Sequence, residues 1–311
     1  MSTPSSAGPP VTPPQHRFVW TALRGDVAAT VSLVGLVVLV LVALIVPIFI
    51  SDLVTRQDLS NSTAAPGFDH GVWGLLGTDS LGRSVLARVI VAARTTLLIA
   101  ACAVGISAVV GTLIGAAVGY LGGWAESIVM RVADVIMSFP SLLLALIVLY
   151  VFGPRATLIV LVLAITRLPV YLRTARARAR EIRALPYVEA ARALGLGRGR
   201  IIIRHGLPAV IPTTMALITV ELGLVMLIES SLTFLGIGVQ PPEVSWGLLT
   251  AEGRGHLQTA WWLSFFPGLA ICLTVIAINI VSTWSRLVAD PRQRWRFIRD
   301  RTEQAGEGTQ R

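Results

Sequence analysis

Six stretches of this chain are apolar for long enough to cross a bilayer, and polar, arginine-rich or glycine-rich segments separate them. The first, Val27–Ile50, runs for 24 residues without a charge. A cleavable leader has a much shorter apolar run, so this segment reads as a retained spanning helix. The others lie at 95–118, about 125–151, about 156–171, 207–235 and 261–284; the fourth is short and carries Arg167 and Pro169. In lipid a backbone N–H or C=O has no water to bond, so each run must satisfy its own ladder as a helix. The fold class expected is an all-α polytopic membrane protein with six transmembrane helices.

The segments between the spans differ in kind. Residues 1–26 are Pro- and Ser-rich ("MSTPSSAGPPVTPP") and read as a disordered lead-in. Residues 51–94 form a loop ending in "GTDSLGRSVLARVIVAAR", whose apolar positions recur at helical spacing and predict a helix along the membrane surface. Residues 95–284 hold the other five spans and a long polar insertion at 172–206; 285–311 is an Arg-rich tail. A Gly/Pro-rich segment at 236–260 leads to Trp261 and Trp262, a pair expected to anchor the last span in the headgroup layer.

The insertion has the most internal structure. In "LRTARARAREIRAL", Leu172, Ala175, Ala179 and Ile182 make an apolar stripe, with Arg173, Arg176, Arg180 and Arg183 on another face. The fourth span is therefore expected to leave the membrane as an amphipathic helix that Pro186 breaks. A second short helix follows in "YVEAARAL", with Val188, Ala191 and Leu194 on one side and Glu189 spaced to pair with Arg192. Gly195, Gly197 and Gly199 then offer positive-φ turns, and Pro208 falls where the first turn of the fifth span is expected. Two readings fit this pattern: a small-surfaced helix that another protein grips, or a loop that merely holds topology through its arginines.

Composition sharpens the class. The chain is 54% hydrophobic, 14% charged, and carries a net charge of +9 from arginine alone, with no lysine. With the N-terminus inside, the cytoplasmic segments hold eighteen arginines and the outer loops six. That bias places both termini in the cytoplasm and accounts for the basic charge without nucleic acid. Cys102 and Cys272 lie in apolar runs and read as small buried hydrophobes rather than metal ligands or a disulfide. No G-x-x-x-x-G-K-[ST] phosphate loop is present, so the chain cannot hydrolyse ATP by that route.

"EAARALG", followed by "HGLP" nine residues after its glycine, resembles the coupling loop of bacterial ABC importer permeases. The family's pattern is EAA, three residues, Gly, nine residues, then I-x-L-P. Here it falls on Glu189, Ala190, Ala191, Gly195, Leu207 and Pro208, with His205 in place of the Ile. "LLGTDSLGRSVLARVIVAARTTL", "VADVIMSFPSLLLAL" and "SLTFLGIGVQPPEVSWG" are similar to the C-type subunit of the dipeptide/oligopeptide/nickel branch, from about residue 30 to 292. The resemblance implies a type I importer permease of the bacterial inner membrane that is not itself an enzyme. Its implied partners are a second related permease in a heterodimer, two ATP-binding subunits and an extracytoplasmic substrate-binding protein. This chain would bind no cofactor; ATP and Mg would sit on the ATPases. Dipeptides or oligopeptides are the leading cargo, with nickel, glutathione and haem as alternatives.

Three carboxylates fall inside apolar spans, where an unpaired charge costs several kcal/mol or so. Asp134 is three residues from Arg131 and is expected to pair with it; it is also a candidate pore or subunit-interface residue. Glu221 is the deepest, Glu229 lies nearer the outer end of its span, and Arg167 is a candidate partner. The same carboxylates would serve a proton-coupled secondary transporter, the principal alternative, though no internal repeat supports it. An intramembrane enzyme finds no constellation, since His16, His70, His205 and His256 all lie outside the spans.

Overall fold

A computed structural model describes residues 26–68 and 71–289; most of the lead-in and the 290–311 part of the tail lie outside the described residues. The described elements are helical. Five helices are long and apolar enough to cross a membrane, or six if one bent pair counts as a span. In chain order they are α1 (Val27–Thr55), α2 (Val85–Leu121), α3 (Gly123–Ser138), α4 (Ser141–Phe152), α5 (Ala156–Arg183), α6 (Pro186–Ala193), α7 (Arg198–Ile201), α8 (Leu207–Phe234), α9 (Trp246–Gly253) and α10 (Trp262–Ala289).

Helix α1 begins at Asp26, whose carboxylate accepts the Ala29 N–H at 3.0 Å. Apart from residues such as Ala29 and Ala43, it shows valine and leucine outward, as a helix facing lipid would. Helix α2 corrects one expectation. Residues 85–94 are not a separate surface helix but its first turns, because Ser84 caps the start and no Gly or Pro interrupts the run into 95. At 37 residues it is about 55 Å long, well over the hydrocarbon thickness of ~30 Å. Its two ends therefore project beyond the apolar layer.

Helices α2 and α5 form the tightest packing in the bundle. Gly111, Gly115 and Gly119 recur every four residues along α2 and let the two backbones meet. A methyl group on Gly111 would lie 2.7 Å from the Tyr171 Cβ, and one on Gly119 would lie 2.6 Å from the Arg176 carbonyl oxygen. Hydroxyls tie the same region together. Ser107 donates to the Ala164 carbonyl at 2.8 Å, and Thr112 and Thr214 share a bond of 3.1 Å between α2 and α8.

The third apolar run is not straight. It divides into α3 and α4, which meet at 84°. Phe139 precedes Pro140, and the ring of a proline disfavours the helical conformation for the residue before it; Phe139 is accordingly extended, at φ −95 and ψ 136. The fourth run, by contrast, continues unbroken through Arg167 and Pro169 as α5. Leu172, Ala175, Ala179 and Ile182 are buried along it, at the stripe positions. Cys102 and Cys272 are free thiols on exposed helix faces, a correction to their reading as buried residues.

Candidate functional site

At the arginine-rich end of the bundle, α6 stands between α5 and α7 as a short bracket. Pro186 opens it, where a missing N–H is harmless. Val188 is fully buried, in a cluster with Tyr120, Ala175, Ile182, Ile201 and Val210 that draws on α2, α5, α7 and α8. Glu189, Ala190 and Gly195 face outward, and Ala191 is half-buried against the cluster.

The helix ends in a left-handed cap. Gly195 takes φ +80; its N–H bonds the Arg192 carbonyl at 3.0 Å, and the Leu196 N–H bonds the Ala191 carbonyl at 3.1 Å. Gly195 alone among the three glycines has positive φ. Two expectations fail here. Leu194 is 81% exposed rather than part of the apolar side, because it is the cap residue and leaves the helical register. Arg192 turns away from Glu189 to the Tyr120 hydroxyl at 3.2 Å, which leaves Glu189 with no ion pair among the described residues.

Pro208 stands in the first turn of α8, as expected. The helical path does not begin there, however; it begins at Arg198 and passes through a π-turn at Ile202–Gly206 into α8. A proline lacks the N–H for the i−4 bond and crowds that carbonyl, and a wider i→i−5 turn just before it relieves both problems. The Leu207 N–H accordingly reaches back to the Ile202 carbonyl. His205 packs edge-on to Tyr187 with ring centroids 5.7 Å apart, joining the two ends of the loop.

The intramembrane charges separate into three settings. Arg167 on α5 approaches Glu221 on α8 at 3.7 Å and donates to Ser141 on α4 at 2.7 Å. Glu221 is only 4% exposed. The Arg167 Nε, one Glu221 oxygen and the nearby Tyr171 hydroxyl are buried without a hydrogen-bond partner. Arg167 thus ties α5 to α4 by a hydrogen bond and to α8 by an ion contact that lacks one. Glu229 is fully buried and accepts from Thr233 at 2.9 Å and Ser230 at 3.3 Å. It faces no surface of this chain. Asp134 pairs with Arg173 across to α5, not with Arg131, and its side chain is 60% exposed.

The opposite end carries a cluster that local sequence pattern did not reveal. Asp79, buried in the 77–84 turn, accepts two backbone N–H bonds from Leu81 and Arg83, each at 2.9 Å. It also holds the Arg83 Nε at 2.7 Å and the Arg88 Nη1 at 2.8 Å; Arg88 reaches Glu252 on α9 at 2.8 Å. Trp262, 6% exposed, donates to the Thr78 carbonyl at 3.2 Å and is part of the core here, while Trp261 is half-exposed. Farther along the 56–84 segment, side-chain bonds from Ser60 and Asn61 hold the Asp58 carboxyl below its usual range. Asp79→Ala is expected to strand two backbone donors and weaken the hold on Arg88. The cost is about 3 kcal/mol, read as a lower thermal midpoint in detergent.

Residues 111–295, which include α6 and every intramembrane charge above, match the family described as the binding-protein-dependent transport system inner membrane component. The chain belongs to this family. It is 33% identical over 276 residues to a probable D,D-dipeptide transport system permease protein of Escherichia coli (strain K12), which covers 89% of this chain and 91% of that protein. It is 31% identical over 278 residues to a dipeptide transport system permease protein of Alkalihalophilus pseudofirmus, covering 89% and 90%. A glutathione transport system permease protein of Escherichia coli O6:K15:H31 is 34% identical over 280 residues, covering 90% and 91%.

The chain is therefore a multi-pass permease subunit of an ABC importer in the bacterial inner membrane. The family implies separate ATPase and substrate-binding partners, and its members are transport permeases. Among the described residues, no group of three or more His, Cys, Asp or Glu could hold a metal ion.

Proposed function

We propose that this permease forms half of the translocation pore of a peptide importer, beside a second related permease, and that α6 is the helix on which an ATPase subunit docks. In this reading both termini and α6 lie in the cytoplasm, and the Asp79 cluster lies outside, facing the substrate-binding protein. The observation that carries it is the attachment of α6: Val188 is locked among residues of α2, α5, α7 and α8, while Glu189 and Ala190 present an unpaired outward face. A push on that face cannot be absorbed by a flexible loop. It moves α5 and α8 relative to one another, and those are the helices that the Arg167–Glu221 contact links deeper in the bundle. ATP and Mg belong to the docked ATPases.

The transport of dipeptides by two of the relatives supports a peptide cargo, and the glutathione permease keeps a γ-linked tripeptide within the same class. Asp134, with its exposed side chain, is the intramembrane carboxylate best placed to meet the second permease. The test is uptake of radiolabelled dipeptide into proteoliposomes holding both permeases, the ATPases and the binding protein. Uptake is expected only with ATP inside the ATPase-accessible compartment. Accumulation driven by a proton gradient without ATP would move the reading to a secondary transporter.

A further inference from the structure

A groove of about 1000 Å³ lies between α1, α2 and α5, beside the turn that carries Pro242, Glu243 and Val244. Its walls change character from one end to the other. Thr55 at the end of α1, Arg94 on α2, Thr157 at the start of α5 and Glu243 are polar residues near one end, the mouth, among apolar neighbours such as Val54, Val91 and Ala156. Below them the lining is apolar: Leu98, Cys102 and Ile106 on α2, Leu161 on α5 and Pro47 on α1. The chain directions agree with this ordering, since α2 and α5 run away from the mouth and α1 runs toward it. From Arg94 to Ile106 the α2 wall descends about 18 Å. That is close to the depth of one leaflet in a hydrocarbon core about 30 Å thick.

The mouth carries one charge of each sign. Neither Arg94 nor Glu243 makes an ion pair or hydrogen bond among the described residues, and both are exposed. A cation and an anion that flank one opening without joining each other fit a ligand that is itself zwitterionic. A peptide would satisfy the charges but not an apolar wall as long as a leaflet is deep. A diacyl lipid satisfies both, and an anionic headgroup would meet Glu243 uncompensated. From this geometry we infer that the groove is a binding site for a phospholipid with an ethanolamine headgroup. Its phosphate sits on Arg94, its ammonium on Glu243, and one acyl chain lies along Leu98, Cys102 and Ile106. The site is separate from α6, so it stands or falls independently of the docking helix and of the cargo.

The transporter complex, reconstituted in nanodiscs of equal parts dioleoyl-phosphatidylethanolamine and dioleoyl-phosphatidylglycerol, is released into a native mass spectrometer. One ethanolamine lipid is expected to remain on each copy of this chain. Arg94→Gln should lower the retained fraction about fivefold, the worth of one arginine at a lipid surface. Glu243→Gln should shift the retained lipid toward the glycerol headgroup. In a second arm, Cys272→Ser leaves Cys102 as the single thiol of this chain. N-ethylmaleimide should then label it slowly in these discs and faster in the Arg94→Gln background. The inference is overturned if no lipid is retained, or if both variants retain it as the parent does. Equal protection of Cys102 in both backgrounds also overturns it, by showing the groove filled with a helix of the partner permease.

Discussion

Glu189→Arg is expected to reduce ATP-driven uptake by at least about thirtyfold while the amount of chain inserted in the membrane stays the same. The first half follows from where the carboxylate stands. It is exposed on α6 and has no ion pair among the described residues, so it is free to pair with an ATPase docked there under the proposed function. Disrupting one side of a charge pair that becomes desolvated at an interface costs roughly 2–5 kcal/mol, and reversal adds repulsion. The second half follows from Val188 and Gly195. The anchor and the cap that shape α6 lie on either side of Glu189 and do not use its side chain. Uptake and ATPase co-purification are measured in the same membranes. A variant that keeps both would remove α6 from the coupling pathway.

Arg167→Ala is expected to give the largest loss of stability among single changes in the spans. It leaves Glu221 4% exposed with no cation near it, and breaking a buried pair from one side costs about 3–5 kcal/mol. Removing both charges is a different case. The double variant Arg167→Met/Glu221→Met replaces an ion contact of 3.7 Å, not a hydrogen-bonded one, with apolar side chains of comparable length, and should regain most of the lost thermal midpoint. Uptake then separates structure from mechanism. If the pair transmits motion between α5 and α8, the double variant is stable but slow. Full uptake in the double variant would make the pair a structural remnant with no part in transport.

Much of this was legible from local pattern, for physical reasons that differ from element to element. Val27–Ile50 could be read because nothing interrupts its apolar run, and the stripe from Leu172 to Ile182 because a helix of period 3.6 must bury one face. The α3–α4 bend had its signal in Phe139 and Pro140, which an apolar average across 125–151 conceals. The glycines at 111, 115 and 119 were equally visible as a four-residue repeat, and they mark the closest helix packing in the bundle.

Other features depend on contacts that no local window holds. Arg88 suggests a surface helix by itself; it is buried because Asp79 and Glu252, the latter far along the chain, converge on it. Asp134 has Arg131 one turn away yet pairs with Arg173, since α3 lies against α5. Glu229 looks like an open-face charge until Thr233 and Ser230 close over it. The pattern from Glu189 to Gly195 stands out by its resemblance to the family. The burial of Val188 in a cluster drawn from α2, α5, α7 and α8 belongs to the tertiary structure alone.

The most direct test of the central claim is purification of the tagged chain from native membranes in mild detergent, with mass spectrometry of the proteins that elute with it. A second permease of similar span number is expected together with ATP-binding subunits, with loss of the ATP-binding subunits alone from the Glu189→Arg variant. Recovery of a clean homodimer with no ATP-binding subunit would contradict it.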